Sequence, residues 1–147
     1  MSDHASRVVL EARRWIGTPY RHQASCLGAG CDCLGLVRGV WRGLYGAEPE
    51  RAPAYTADWA EMGRRETLLE AAGRHLVPVA TEERAPGDVL LFRWLRGYPA
   101  KHCAIRTAPG RMVHALENAA VAEVTLGPWW VRRIAAVFRF PEFAEAD

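Results

Sequence analysis

Apolar residues in the first half of the chain recur at the three- and four-residue spacing that is typical of helices. The first helix is predicted to follow Ser6 as its cap and to end at residues 17–19, which are Gly, Thr and Pro. A second helix is predicted to begin near Cys33 and to close at Gly46. The two apolar stripes consist of Val8, Val9, Ala12, Trp15 and Ile16, and of Leu34, Val37, Trp41 and Leu44.

Residues 21–32, between these two helices, contain Gly and Cys without periodicity and are predicted to form a loop. A third helix is predicted to open at Asp58, because Glu61 completes the spacing of a capping box. Its apolar positions include Trp59, Met62, Leu69 and Leu76.

After Ala80 the pattern changes to short segments rich in branched residues, which are typical of β-strands. Turn residues such as Pro86-Gly87-Asp88 separate these segments. The predicted strands span residues 89–94, 102–107, 111–116, 121–126 and 131–140. Helices followed by strands favour an α+β fold in which N-terminal helices lie on an antiparallel sheet of five to six strands.

Length and composition fit one compact domain over residues 1–147, with residues 141–147 as a flexible tail. Apolar residues make up 50% of the chain, which excludes disorder, and a formal charge of +2 argues against nucleic-acid binding. The sequence shows neither the pattern of a signal peptide nor an apolar run as long as a membrane span. We therefore expect synthesis in the cytoplasm, no membrane partner, and another route to any target outside the cell.

Cys33 is the first candidate for chemistry, because it falls where the loop becomes the second helix. Backbone N–H groups and the positive end of the helix dipole favour a thiolate there, and the thiolate is the reactive form of cysteine. The Cys33 N–H also points to where an oxyanion could develop. The alternative is a small buried apolar residue, as most free cysteines are.

His102 and His114 lie on consecutive predicted strands that are joined by a turn near residues 108 and 109. Pairing around that turn places His102 opposite His114 or Ala115, and directly opposite Cβ atoms are about 5 Å apart. One imidazole could then act as a base towards a thiol while the other orients it, as in catalytic triads. The alternative is two unrelated strand residues, since the chain has five histidines.

Four short motifs follow one another along the chain: Gly17-Thr18-Pro19-Tyr20, Asp32-Cys33-Leu34-Gly35-Leu36-Val37, His102-Cys103-Ala104-Ile105 and Met112-Val113-His114-Ala115. Together they resemble the NlpC-type cell-wall cysteine peptidases, which are papain-like in architecture. The motifs occur in the order that this family has. The Arg-His-Gln-Ala-Ser segment after Tyr20 and the Pro128-Trp129-Trp130 segment are similar to the branch carried by phages and gene transfer agents.

The resemblance implies a role for each of these motif residues. Cys33 matches the nucleophile, His102 the general base, and His114 the third polar residue, which orients the base. Tyr20 matches the tyrosine whose hydroxyl lines the oxyanion site, and a core tyrosine is the alternative. Asp32 is an accessory member of the motif, and we favour a helix-capping role for it.

Three positions depart from the family pattern. Leu34 stands where Ser commonly follows the nucleophile, and residues 21–25 replace a common Gly-Gly pair. Cys103 stands where Val is common. These positions flank the cleft, so the departures concern substrate fit more than the chemistry.

The other cysteines show no recognisable pattern in the sequence. Cys26, Cys31 and Cys33 could suggest zinc, but their spacing matches none of the common ligand patterns, so we predict no metal site. A Cys26–Cys31 disulfide would need time outside the cytoplasm. Cys103 alternates with His102 along its strand and is expected to face the core. A thioester mechanism needs only the motif residues, so we also expect no cofactor.

The resemblance implies hydrolysis of peptidoglycan stem peptides through a Cys33 thioester. The bond would be the amide on the γ-carboxyl of D-glutamate, most often the one to diaminopimelate. The phage-like branch implies a tail or baseplate component that contacts other tail proteins and opens the periplasmic cell wall from a phage-like particle. Two alternatives stay open: a structural tail-assembly module with a decayed site, and an acyltransferase or amidase on the same fold.

Overall fold

The computed structural model describes residues 1–50 and 66–142, and within them the chain forms four α-helices, a 3-10 turn and eight strands. The helices are α1 (Asp3–Arg13), α2 (Cys33–Tyr45), α3 (Thr67–His75) and α4 (Pro128–Val131), and the 3-10 turn is Thr81–Glu83. The strands are β1 (Ser25–Cys26), β2 (Gly30–Cys31), β3 (Val77–Val79), β4 (Asp88–Phe92), β5 (His102–Ala108), β6 (Arg111–His114), β7 (Ala122–Thr125) and β8 (Ile134–Arg139).

Six of these strands form one antiparallel sheet in the order β3, β8, β4, β5, β6, β7. β1 and β2 form a separate small hairpin within the loop that precedes α2. The sheet confirms the predicted α+β class and the antiparallel arrangement. None of the helices within the described residues 1–50 and 66–142 has the length and apolar character that a membrane span requires.

The sheet is apolar on both faces, which explains why every side chain of β4 is buried. On one face, Val89 and Leu91 belong to the core that α1 and α2 cover. On the other face, Leu90 and Phe92 belong to a second cluster against which α4 lies. Because successive side chains of a strand point to opposite faces, a strand between two apolar layers becomes continuously hydrophobic.

The first helix begins earlier than predicted, because Ser2 and not Ser6 is its cap. The Ser2 hydroxyl accepts a hydrogen bond from the Ala5 N–H at 3.1 Å, and Ser6 already lies inside the helix. The predicted apolar position Ile16 is also wrong, since the helix ends at Arg13 and Ile16 is 45% exposed. The first turn of the helix is polar and lacks apolar periodicity, so the hydrophobic pattern did not indicate where the helix begins.

The second helix begins and ends as predicted, but its buried face is rotated from the predicted stripe. Its buried positions are Gly35, Leu36, Gly39, Val40 and Trp41. Gly39 permits this packing, because a Cβ built there would lie 1.9 Å from the Trp15 ring. Leu34, Val37 and Leu44 are half-buried beside the core. A pattern that counts only large apolar residues misses a helix face that glycines bring close to its neighbour.

Three further boundaries differ from the sequence prediction. β3 was not predicted, because two of its three side chains are exposed and it contains Pro78, which an edge strand tolerates. The last strand spans Ile134–Arg139 and not 131–140, because Pro128 starts the short helix α4. The predicted start of the third helix, with Asp58, Trp59, Glu61 and Met62, lies outside the described residues, which contain its later part as α3.

Candidate active site

Asp32 and Cys33 form the start of α2. The Asp32 carboxylate is 2% exposed and caps the helix, accepting hydrogen bonds from the N–H groups of Gly35 at 2.7 Å and Gln23 at 2.8 Å. This geometry agrees with the capping role favoured for Asp32. Cys33 is the first residue of the helix and is partly exposed. Its N–H therefore belongs to the first turn, where helices leave such groups without an intrahelical acceptor.

The hairpin of β5 and β6 brings His102 and His114 to one face of the sheet, although its register differs from the predicted one. Ile105 pairs with Val113 and Arg106 with Met112, so His102 and His114 are diagonal neighbours and not directly opposite. The register shifts between Arg106 and Ala108, a bulge that the sequence pattern did not reveal. Diagonal neighbours on one face remain within reach of each other when their side chains are long.

The two imidazoles are buried and joined by a hydrogen bond of 3.0 Å between His102 Nε2 and His114 Nδ1. Burial, and then the neighbouring His102, lowers the pKa of His114 from 6.5 to about 4. His114 is therefore neutral at neutral pH, and its Nδ1 can accept a hydrogen bond from the N–H at Nε2 of His102. This hydrogen bond occupies Nε2 of His102 and leaves Nδ1 as its other ring nitrogen.

Cys33 has the electrostatic surroundings of a reactive thiol. A hydrogen bond with the Cys103 thiol, a hydrogen bond with His102 and the charge of His102 lower the pKa of the Cys33 thiol well below its ordinary value. Burial and the nearby Asp32 carboxylate act in the opposite direction and are outweighed. A thiolate held beside an imidazole in a partly exposed position is the arrangement of nucleophilic cysteines.

Tyr20 lies beside the same site through a β-bridge between Tyr20 and Cys31. Burial, and then the charge of Cys33, raises the pKa of the Tyr20 hydroxyl to about 12. The phenol therefore stays protonated and is available as a hydrogen-bond donor near the thiol. The Tyr20 side chain is also half-buried against the hydrophobic core. Its surroundings are therefore compatible with a role at the oxyanion site and with a role in the core.

Three aromatic rings surround His102 on the face of the sheet against which α4 lies, and the sequence did not assign them to the site. Trp94 is stacked on the imidazole at 5.2 Å between ring centroids, Trp130 lies at 5.6 Å and Phe92 at 5.9 Å. Trp130 also meets His114 edge-on at 5.3 Å. A signal was present, because alternation along the predicted strand at residues 89–94 places Phe92 and Trp94 on one face. The rings keep water away from the imidazole pair.

The other cysteines are separate thiols with different surroundings. Cys26 is exposed and Cys31 is buried, and both are free. Burial raises the pKa of the Cys31 thiol to about 12. Cys103 is 1% exposed and lies in the core, as predicted, and its thiol also donates a hydrogen bond to the Cys33 carbonyl at 3.2 Å. The sequence had shown no link between Cys103 and Cys33.

We expect the replacement His102→Gln to slow alkylation of Cys33 at neutral pH by about tenfold or more, because the thiolate loses a hydrogen bond and a nearby positive charge. Iodoacetamide labelling followed by peptide mass spectrometry gives the rate at each thiol across a pH series. The exposed Cys26 is an internal reference, and His75→Gln is the matched control on α3. An unchanged Cys33 profile in His102→Gln would contradict the pairing.

We expect the buried neutral His114 to make folding sensitive to acid. Its folded-state pKa of about 4 lies below the ordinary 6.5, so the unfolded chain binds the proton first as the pH falls. The stability that comes from keeping His114 neutral is fully present above the ordinary pKa. Between about pH 7.5 and about pH 4.5 the free energy of unfolding should fall by about 2.5 kcal/mol because of this residue.

Urea unfolding of the native protein and of His114→Gln at both pH values measures this loss. The native protein should lose more free energy of unfolding on acidification than the variant does. His4→Gln, which removes a half-buried histidine near the C-terminal end of the sheet, should behave like the native protein. Equal losses in the native protein and His114→Gln would show that His114 is not the acid-sensitive group.

Comparisons with known proteins agree with this architecture. The sequence profile of the NlpC/P60 family matches residues 17–139. Gamma-DL-glutamyl hydrolase of Bacillus subtilis (strain 168) is 28% identical over 134 residues, which are 90% of this chain and 29% of that protein.

Two solved structures have the same fold. A NlpC/P60 family protein from Bacillus cereus has a TM-score of 0.67 at 20% identity, over 95% of this chain and 41% of that chain. The NlpC/p60 domain of the peptidoglycan hydrolase SagA has a TM-score of 0.62 at 23% identity, over 92% of this chain and 98% of that chain. The present chain thus spans less than half of the Bacillus cereus and Bacillus subtilis relatives and nearly all of the SagA domain.

Proposed function

The chain belongs to the NlpC/P60 family, and we propose that it is a cysteine peptidase that hydrolyses peptidoglycan stem peptides. The observation that carries the proposal is the thiol of Cys33, which is partly exposed at a helix start and interacts with His102, a member of a buried imidazole pair. We propose the amide on the γ-carboxyl of D-glutamate as the bond, with diaminopimelate on the other side.

The proposed reaction proceeds in two halves through a thioester. The Cys33 thiolate attacks the carbonyl carbon, and the Cys33 N–H and the Tyr20 hydroxyl donate to the oxyanion. The imidazolium of His102 then gives its Nδ1 proton to the leaving amine, and the C–N bond breaks. In the second half, His102 takes a proton from water, the hydroxide attacks the thioester, and the thiolate leaves with a free γ-carboxylate as the product.

His114 acts in this scheme as the residue that orients the base. In the proposed scheme its Nδ1 accepts the hydrogen bond from Nε2 of His102, so that Nδ1 of His102 is the nitrogen that exchanges protons with the thiol. Because the pKa of His114 is only about 4, it does not compete for the proton that His102 must carry. The pH dependence of the reaction then reports the coupled Cys33–His102 pair and not either residue alone.

Two relatives support the substrate class. The Bacillus subtilis relative is named as a γ-DL-glutamyl hydrolase, and the SagA domain belongs to a peptidoglycan hydrolase. Both names refer to hydrolysis, and the first refers to a γ-linked glutamyl bond. In the proposed reaction, the Cys33 site hydrolyses a γ-linked glutamyl bond in the same way.

A decayed structural module is the less favoured alternative, on one specific observation. A decayed site would be expected to bury an inert thiol, whereas Cys33 is partly exposed and its pKa lies well below the ordinary value. An acyltransferase or amidase would use the same thioester and is distinguished by its acceptor and substrate.

Mass spectrometry of purified muropeptides after incubation with the native protein tests the proposal. We expect new fragments that end in free D-glutamate, with no product when Cys33 has first been alkylated with iodoacetamide. Cleavage of another bond would replace the proposed specificity, and intact muropeptides together with a Cys33 that iodoacetamide does not label would favour the decayed module. A panel of amine acceptors and non-wall amides in the same assay separates the acyltransferase and amidase alternatives.

For the site of action we propose a phage-like particle, in which the chain is a tail or baseplate component that reaches the periplasmic wall. The support is the similarity of residues 21–25 and of Pro128-Trp129-Trp130 to the branch carried by phages and gene transfer agents. Proteomic mass spectrometry of purified particles from the producing cells should detect the chain together with tail proteins. Its consistent absence from particles that contain other tail proteins would overturn this part of the proposal.

A further inference from the structure

Cys103 is a second thiol at the Cys33 site, and the proposed peptidase reaction does not use it. It directly follows His102 on β5, points to the helix side of the sheet and is 1% exposed. Its thiol donates to the carbonyl oxygen of Cys33 at 3.2 Å. The two thiols also influence each other's pKa: Cys103 lowers that of Cys33, and Cys33 raises that of Cys103. The fold therefore places a buried thiol against the backbone of a residue whose own thiol is partly exposed and reactive.

We propose that Cys33 and Cys103 form an oxidative modification site, in which a hydroperoxide converts the two thiols into a reversible disulfide. The inference goes beyond the proposed peptidase function, because it uses only thiol chemistry and no wall substrate. It assigns to Cys103 the part of a resolving cysteine, which captures the oxidised form of its neighbour.

The oxidation takes two steps. In the first, the Cys33 thiolate attacks the terminal oxygen of the hydroperoxide and the O–O bond breaks, so that Cys33 becomes a sulfenic acid. The departing oxygen takes up a proton from the solvent and leaves as an alcohol, or as water when the oxidant is hydrogen peroxide. In the second, the Cys103 sulfur attacks the Cys33 sulfur, the S–O bond breaks, and the Cys103 proton leaves with the hydroxyl as water. Two thiols are oxidised and one peroxide is reduced, so no other reagent is needed.

The charge at Cys33 controls when Cys103 can react. While Cys33 is a thiolate, its hydrogen bond and its charge, together with burial, raise the pKa of the Cys103 thiol well above its ordinary value. Cys103 is therefore inert in the reduced protein. Sulfenic acid at Cys33 is neutral, so its formation removes the charge that held the Cys103 proton. The barrier to the second step falls only after the first step has occurred.

Neither of the other cysteines has this position. Cys26 is exposed on β1, where it pairs with Gly30 in the small hairpin. Cys31 is buried on β2 against Tyr20, and burial raises the pKa of its thiol to about 12. Cys103, by contrast, donates a hydrogen bond to the backbone carbonyl of Cys33, and the two thiols shift each other's pKa. The disulfide forms when the Cys33 side chain turns so that its sulfur meets the sulfur of Cys103.

The disulfide would switch off the thiol without destroying it. Cys33 in the disulfide cannot attack a carbonyl, and it is also protected from further oxidation to the irreversible sulfinic acid. A thiol reductant returns both cysteines to the reduced state. The site would thus preserve the nucleophile during exposure to an oxidant.

The test is peptide mapping by mass spectrometry after treatment of the whole, native protein with hydrogen peroxide. We expect a peptide in which Cys33 is linked to Cys103, together with loss of Cys33 alkylation by iodoacetamide. Dithiothreitol should restore the alkylation. In Cys103→Val and in Cys103→Ser, which retains a hydrogen-bond donor, we expect the same peroxide treatment to drive Cys33 to sulfinic acid that dithiothreitol does not reverse.

The double variant Cys26→Ser, Cys31→Ser is the matched control and should still form the linked peptide. Sulfinic acid at Cys33 of the native protein, formed as fast as in Cys103→Val, would overturn the proposal. A disulfide from Cys33 to Cys26 or Cys31 would overturn it as well. Because the readout is the state of the sulfurs, the result does not depend on whether the protein cleaves muropeptides.

Discussion

The replacement Cys33→Ala is expected to reduce muropeptide cleavage by at least about 10⁴-fold, because it removes the atom that forms the thioester. Without the thiolate, His102 could act only on a water molecule, and the two-step route through a covalent intermediate is lost. The helix should be unaffected, since Asp32 still caps it and alanine is favourable in a helix.

The measurement is the rate of product formation at saturating muropeptide, with the products quantified by mass spectrometry. The matched control is Cys26→Ala, which removes an exposed thiol from the same loop region and should retain full activity. Circular dichroism of both variants checks that the fold is intact. Cleavage by Cys33→Ala at the native rate would remove Cys33 from the mechanism altogether.

The replacement Gly35→Ala is expected to lower the free energy of unfolding by about 3 kcal/mol or more, the largest stability effect that we predict. A Cβ at this position would lie 1.9 Å from the carbonyl oxygen of Ala24 and 3.0 Å from Oδ1 of Asp32. The obstacle is backbone, which cannot rotate away as a flexible side chain can. The first turn of α2, which includes Cys33, would therefore have to move relative to the loop before it.

Gly73→Ala is the matched control, because Gly73 lies in the exposed part of α3 and a Cβ there meets nothing within 4 Å. We expect it to raise the free energy of unfolding by about 0.5–1 kcal/mol, since alanine favours the helix. Urea unfolding of both variants provides the comparison. An equal rise in the free energy of unfolding of both variants would mean that helix propensity, and not the close approach at Gly35, controls the effect.

The Gly35 prediction also links the fold to the site. The Ala24 carbonyl accepts from the Asp32 N–H at 3.3 Å, and the Ser25 hydroxyl donates to the Gly35 carbonyl at 2.6 Å. These contacts attach the loop to the start of α2 on both sides of Cys33. A shift of this loop would move the thiol relative to His102, so Gly35→Ala should lose Cys33 thiol reactivity as well as stability.

Features that depend on neighbours in sequence could be predicted from the residues alone. The start of α2 at Cys33 and its end at Gly46 follow from an acidic cap and from a glycine with positive φ, both of which act within one turn. The strands β4, β5 and β6 follow from short apolar segments bounded by turn residues. The proximity of His102 and His114 follows from the hairpin that a Pro-Gly turn closes.

Features that depend on distant residues were not predictable in the same way. The bulge near Thr107 changes the register by an amount that no local pattern encodes. β3 becomes a strand because it meets the edge of β8, although its own side chains are mostly exposed. Trp94 became part of the site because the pairing of Phe92 with His102 brings the two strands side by side.

The sequence by itself determined the α+β class, the family motifs and the identity of the candidate residues Cys33, His102, His114 and Tyr20, because periodicity and motif spacing are local properties. The tertiary structure decided which atoms meet. It directs Nε2 of His102 to His114 and places the Cys103 thiol against Cys33 across 70 residues of chain. That contact follows from the packing of α2 on β5, and packing between elements distant in sequence is a property that no single segment carries.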